Sequence, residues 1–250
     1  MINNLHKNLS ISVTAKFRVF PTVEKTAEHV KILESASAWI LTCHGRTREQ
    51  RGHNTGIAGL HKIRAVKEAV SVPVTANGNI LFHSDIEACL ATTSADAVIS
   101  VEGNLYNPAI FMSAPASSSS LADSVLPLPA PSSYAPALEY LATVKSQKTR
   151  TKGSVVKRHL FKLLRPALGR EIELYDFLGR IQIKHLGDNE AWDQYEALIE
   201  GFDEQLQQDA RAAEGRSVDE LIILHETTGL KAMPHWVAQP FFRVVPKVAE

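Results

Sequence analysis

Lys16, Arg18, His44 and Arg46 are polar side chains of the kind that line ligand sites, and each stands at a recurring kind of place. Lys16 and Arg18 lie in and at the end of one apolar run. His44-Gly45-Arg46-Thr47 follow a second, Asn77-Gly78-Asn79 a third and Glu102-Gly103-Asn104 a fourth. Taken singly, each has a plain explanation. A strand lysine usually snorkels at an edge, a lone histidine is usually just satisfied, and Asn-Gly usually makes only a turn. Their repetition at one topological position is what points to a site.

Something must bring those segments together. The apolar runs Val13 to Phe20, Trp39 to Cys43, Val72 to Ala76 and Ala95 to Val101 read as strands, separated by stretches of helical period. Thr22 is placed to cap a helix bearing Val23, Ala27, Val30 and Leu33. Ile57, Leu60, Ile63, Val66 and Val70 form a second stripe, and Ser84 with Glu87 is a capping-box pattern before inward-facing Ile86 and Leu90. Four βα units of a parallel sheet result, and in such architectures the C-terminal strand ends share one face, where ligands bind. One site built from four loops is the economical reading.

Residues 113–136 change to Ser, Pro and Ala, including the run Ser117 to Ser120 and the segment Leu126 to Pro136, which is linker composition. Beyond it helical patterns span Leu138 to Val144, Val155 to Leu168, Glu171 to His185 and Ala191 to Gln208. In the last of these Trp192, Tyr195, Ile199, Phe202 and Leu206 step by three and four. Residues 233–250, with three prolines, should be irregular. The domain reading is therefore 1–112 for the βα units, 113–136 for the linker, 137–232 for a helical domain and 233–250 for a tail. Lys plus Arg equals Asp plus Glu at 27 each, so a polyanionic partner needs a local patch. Lys145, Lys148, Arg150, Lys152, Lys157, Arg158, Lys162 and Arg165 supply one without an intervening carboxylate. Lys157, Arg158 and Lys162 share one broad helix face. The two cysteines, Cys43 and Cys89, cannot make a zinc site or a disulfide framework unaided, so no metal is expected. The N-terminus has no apolar core of a secretory signal and nowhere do eighteen apolar residues run together, so an intracellular location, cytoplasmic or nuclear, and no membrane are expected.

The strings Thr14-Ala-Lys-Phe-Arg-Val, Leu41-Thr-Cys-His-Gly-Arg-Thr, Pro73-Val-Thr-Ala-Asn-Gly-Asn-Ile and Ala95-Asp-Ala-Val-Ile-Ser-Val-Glu-Gly-Asn-Leu closely resemble the second half of the barrel in tRNA-dihydrouridine synthases. The likeness is to the eukaryotic group acting at positions 16 and 17 of tRNA, and it resumes in Val156-Lys-Arg-His-Leu-Phe-Lys-Leu-Leu. The resemblance implies an α/β fold: a TIM-type barrel, here its last four βα units, followed by a helical tRNA-binding domain. It implies FMN at the strand ends, with NADPH or NADH as reductant. In that family reduced flavin delivers hydride to the C5=C6 bond of a uridine, and a cysteine from an earlier loop supplies the proton. Lys16 matches the lysine on the isoalloxazine, Arg18 the arginine near the target base and His44 the histidine beside the ring, with Arg46 close by. Asn77, Gly78, Asn79, Glu102 and Gly103 match the loops that hold the ribityl phosphate. A carboxylate beside a phosphate is unfavourable, so Glu102 would bind through its backbone.

The same resemblance leads to an expectation that the barrel's first half and its catalytic cysteine lie outside this sequence. This chain alone would then be weak or inactive, and open barrel edges would invite self-association. Ser37 and Ser94 stand where the family commonly has glycine in a helix-to-strand turn, which should cost roughly 1 kcal/mol. Two other readings stay open: another FMN-dependent barrel oxidoreductase, which leaves the basic helical part unexplained, and a non-catalytic tRNA-binding fragment.

Overall fold

The computed structural model describes residues 1–51, 55–112, 134–149, 151–184, 188–213, 216, 218–226, 229–237 and 239. Most of the linker (113–133), Arg150 of the basic stretch and the tail from 240 lie outside these residues. The described chain divides into two compact units, one running from Met1 to Val101 and one beginning at Glu102, ahead of the boundary at 112 read from composition.

The first unit opens with α1 (Ile2–Asn8), a short helix with no buried residue that the sequence reading did not anticipate. Then come β1 (Thr14–Arg18), α2 (Val23–Ser35), β2 (Ile40–His44), α3 (Leu60–Ala69), β3 (Val74–Asn77), α4 (Ser84–Thr93) and β4 (Ala97–Ile99). The strands form one parallel sheet in the order β1-β2-β3-β4. Thr22 caps α2 as expected, its hydroxyl accepting from the Lys25 N–H. The expected capping box at Ser84 does not form. His83 is the N-cap, with no side-chain cap hydrogen bond, and Asp85 accepts from the Leu81 and Phe82 N–H groups instead. Ile86 and Leu90 are only half-buried, and Cys89 and Thr93 are the buried residues of that helix. Ile57 lies outside α3 and is exposed, so the second stripe begins at Leu60.

All three crossover helices lie on one face of the sheet: α2 packs on α3, and α3 on α4. That face presents Leu41, Cys43, Val74 and Ala76, all fully buried. The in-register residues Lys16, Thr42, Thr75 and Ala97 form one row on the opposite face, and Arg18, His44, Asn77 and Ile99 form the next. Sequential strand order with one face covered is a singly wound arrangement. A doubly wound sheet reverses its strand order and carries helices on both faces.

The second unit contains α5 (Glu102–Tyr106), α6 (Tyr134–Ser146), α7 (Gly153–Leu163), α8 (Arg165–Leu168), α9 (Ile172–Arg180), α10 (Asn189–Ala212), α11 (Val218–Leu221) and a small antiparallel pair, β5 (Ile223–Leu224) and β6 (Lys231–Ala232). Its core joins Ala137 and Leu141 of α6, Val156 and Leu160 of α7, Leu178 of α9 and the α10 stripe Trp192, Tyr195, Ile199, Phe202 and Leu206. Tyr134 to Pro136, read from composition as linker, are the first turn of α6. Proline is tolerated there because first-turn N–H groups have no helical partner. The single helix expected from Val155 to Leu168 is two, α7 and α8, meeting at Leu164. Pro166 removes one N–H from the ladder at that junction.

Candidate functional site

Each strand-end residue is positioned by the register of the sheet. Arg18 ends β1 opposite His44, and His44 ends β2 opposite Asn77, which ends β3. The sequence reading stopped the second and third strands one residue early, because a histidine and an asparagine look like turn residues until the pairing includes them. Arg18 is anchored by its own loop, donating to the Thr47 carbonyl at 2.8 Å and the Gln50 carbonyl at 3.1 Å. Asn77 is buried and donates to the Ile99 carbonyl at 2.9 Å, tying the ends of β3 and β4 together.

Arg46 is the organiser of this region. It is 7% exposed, and its Nε and Nη atoms donate to the Thr55 and Gly56 carbonyls and to Asn79 Oδ1 at 2.9 to 3.1 Å. It also sits 3.3 Å from His44 Nε2. Arginine has no acceptor, so that contact requires His44 Nε2 to accept, which leaves the ring proton on Nδ1. Arg46, which the resemblance puts close to His44, holds Thr55, Gly56 and Asn79 together and fixes the histidine tautomer. Asn79, at φ 60°, completes the clamp by accepting from the Ala58 N–H and donating to the Ala58 carbonyl. Gly78 has φ +123°, and a Cβ there would lie 2.6 Å from Ala58 Cβ, so both backbone angle and space demand glycine.

Burial pushes the His44 imidazolium down to a pKa of about 4, helped by the charges of Arg18, Arg46 and Lys16. His44 is thus a neutral donor at neutral pH. Lys16 is exposed in the neighbouring row and has no hydrogen-bond or ion-pair partner among the described residues. Three cations around a neutral imidazole, on the sheet face opposite α2, α3 and α4, suit a ligand that is negatively charged or becomes so.

The structure therefore brings Lys16, Arg18, His44, Arg46, Asn77, Gly78 and Asn79 together in the first unit. Glu102 and Gly103 open α5 and belong to the second unit, with Glu102 exposed and Gly103 buried. Sequence reasoning missed Thr42 and Thr75, which period-2 alternation places in the row beside Lys16. It also missed Gln50, whose Oε1 accepts from the Thr47 N–H at 2.8 Å and which no local pattern marks.

In the second unit the basic helix face is partly spoken for. Lys157 donates to the Gly179 carbonyl in the last turn of α9 at 2.7 Å, and partial burial lowers its pKa. Lys162 stacks over the Tyr106 ring and bonds its hydroxyl at 3.1 Å. Arg158, Lys148 and Lys152 are exposed, with no hydrogen-bond or ion-pair partner among the described residues.

A family model described as dihydrouridine synthase matches residues 1–176. The chain belongs to the dihydrouridine synthase family. Curated relatives include a tRNA-dihydrouridine(16/17) synthase of Saccharomyces cerevisiae, 32% identical over 98% of this chain and 57% of its own length. A like-named protein of Rattus norvegicus is 35% identical over 99% and 49%, and one of Schizosaccharomyces pombe 33% over 97% and 59%. The chain thus spans about half the length of the curated relatives it matches. A nitroalkane oxidase from Streptomyces ansochromogenes aligns with 80% of the chain and 59% of its own at 18% identity and a TM-score of 0.28, too distant to argue from.

Neither cysteine of the chain is suited to giving a proton. Cys43 is fully buried on the helix-covered face, with its thiol pushed up to about 12 by burial, and Cys89 is buried in α4 with its thiol also raised by burial. No group of three or more His, Cys, Asp or Glu side chains among the described residues is placed to hold a metal. No helix among them is long and apolar enough to cross a membrane.

Proposed function

We propose that this chain provides the flavin-holding and tRNA-holding parts of a tRNA-dihydrouridine synthase, which reduces uridine to 5,6-dihydrouridine in the D-loop with NADPH or NADH as reductant. The observation that carries it is the cationic cluster around a neutral His44 at the strand ends, in a chain of this family. The singly wound sheet supports reading the βα units as consecutive units of a (β/α)8 barrel, and the free sides of β1 and β4 are where further strands, or a second copy, would pair.

The residues present fit FMN: the positive charge of Lys16, Arg18 and Arg46 beside a neutral His44 suits its anionic forms. FMN, when bound, would supply the redox chemistry that passes reducing equivalents from the nicotinamide to the C5=C6 bond of uridine. Lys16 would place a cation against the charge that builds in the reduced ring system. His44 would offer its Nδ1–H as a donor while Arg46 keeps Nε2 occupied. Arg18, already braced by two carbonyls, would orient the base. The proton for the uridine must come from a group other than Cys43 or Cys89.

The test is titration of the chain with FMN, followed by incubation with NADPH and tRNA lacking dihydrouridine. The incubation is run alone and with the portion of a relative that this chain does not span. Flavin binding is expected, with dihydrouridine formed strongly in the supplemented reaction. Replacing Lys16 by Met should weaken FMN roughly tenfold and lower its midpoint potential. Failure to bind FMN, or an unchanged potential in the variant, overturns the assignment.

A further inference from the structure

The second unit contains a cavity of about 190 Å³ between the end of α6, the loop after it, the segment after α9 and the first turn of α10. Val144, Ile183 and the 9% of Trp192 that the core leaves exposed supply the apolar lining, and Gln147, Thr149, Thr151 and Asn189 line the remainder. None of these four polar side chains has a hydrogen-bond partner among the described residues. Two amides and two hydroxyls, each able to donate and accept, thus line one opening, with Gln147, Thr149 and Asn189 at solvent-exposed positions.

Size and charge narrow the ligand. The cavity would hold about six waters at ~30 Å³ each, and it falls below the ~300 Å³ at which pockets for drug-sized ligands begin. A flavin or a dinucleotide is therefore too large. An anion is disfavoured because Asp188 already occupies the N-terminus of α10, accepting from the Ala191 N–H at 3.3 Å and from the Lys184 N–H at 2.8 Å. The cation at the rim, Lys145, is neutralised by Glu196 at 2.7 Å. What remains is a neutral, planar group with donors and acceptors around its edge. Amide side chains pair with base edges, and aromatic faces stack on them. Lys148 and Lys152, exposed near the lining residues in the chain, suit the phosphates on either side.

We propose that this cavity receives one unpaired nucleobase of the RNA, read by Gln147 and Asn189 against the apolar lining. This rests on the reading that the chain grips tRNA. It adds a base-specific contact outside the strand-end site.

The experiment uses the full chain and two readouts. Indole emission is followed on adding each of the four nucleoside 5′-monophosphates, with ribose 5-phosphate as the base-free control. tRNA binding is measured at several salt concentrations. Both are repeated for Gln147→Ala/Asn189→Ala, exposed positions whose replacement should leave the circular dichroism and melting unchanged. At least one nucleotide should quench saturably, ribose 5-phosphate should not, and the double variant should lose the response. The variant should bind tRNA roughly tenfold more weakly with the same salt slope, since no phosphate contact is removed. Equal responses to ribose 5-phosphate and to the nucleotides, or a double variant indistinguishable from wild type in both readouts, overturn the pocket even if tRNA binds. A nucleotide response lost in the variant, in a chain that binds no tRNA at any salt, upholds the pocket and removes the tRNA reading instead.

Discussion

His44 shows how a residue's chemistry depends on what surrounds it. In a peptide its pKa would be about 6.5; here burial, then Arg18, Arg46 and Lys16, depress it to about 4. Between those values the unfolded chain binds the proton that the folded chain refuses, so this residue makes stability fall as pH drops from about 6.5 to about 4 and adds no pH dependence above that window. The expected NMR titration of the His44 Cε1–H has its midpoint near 4, and Arg46→Met should raise it by removing one repelling charge and the lock on Nε2. A wild-type midpoint near 6.5 would mean that the ring is not held neutral. The same scale explains Cys43, whose place on the helix-covered face makes it a packing residue despite its position next to His44.

At the scale of the element, the turns after α2 and α4 place serine where the backbone takes a left-handed conformation that favours glycine. Ser37 has φ 69° and Ser94 φ 56°, both left-handed. After α2 the Ala38 N–H bonds the Leu33 carbonyl and the Ser37 N–H bonds the Glu34 carbonyl, the Schellman pattern with serine where glycine is preferred. Ser37→Gly and Ser94→Gly are each expected to stabilise the chain by about 1 kcal/mol, measured by chemical denaturation. No gain from either would show that serine is accommodated without strain. Gly78 is the opposite case: Gly78→Ala meets both a forbidden φ and Ala58, and it should displace the 46–59 loop.

For the whole molecule, net neutrality conceals an uneven charge distribution, and the structure changes which cations are free to act. Lys157 and Lys162 are tied to Gly179 and Tyr106, whereas Lys148, Lys152 and Arg158 are exposed without partners among the described residues. Each phosphate neutralised contributes about −0.7 to −0.9 to the slope of log affinity against log salt. Replacing Lys148, Lys152 and Arg158 together by Ala should therefore flatten the tRNA-binding slope by about 2 to 3 with little loss of stability, because exposed charges contribute little. Lys157→Ala should instead loosen the end of α9. An unchanged slope in the triple variant would make that face a solvated surface only.

Periodicity and composition determined the four βα units, the helical second part and the strand-end grouping of Lys16, Arg18, His44 and Asn77, because hydrophobic period and chain order are local properties. Those local signals also located the Thr22 cap and the α10 stripe. Tertiary structure alone decided that Arg46 braces Thr55, Gly56 and Asn79, that Lys157 and Lys162 are committed within the fold and that Gln147 and Asn189 line one cavity. These depend on partners far away in the chain, such as Asn79 for Arg46 and Tyr106 for Lys162, and a side chain's free donors are known only once those partners are in place.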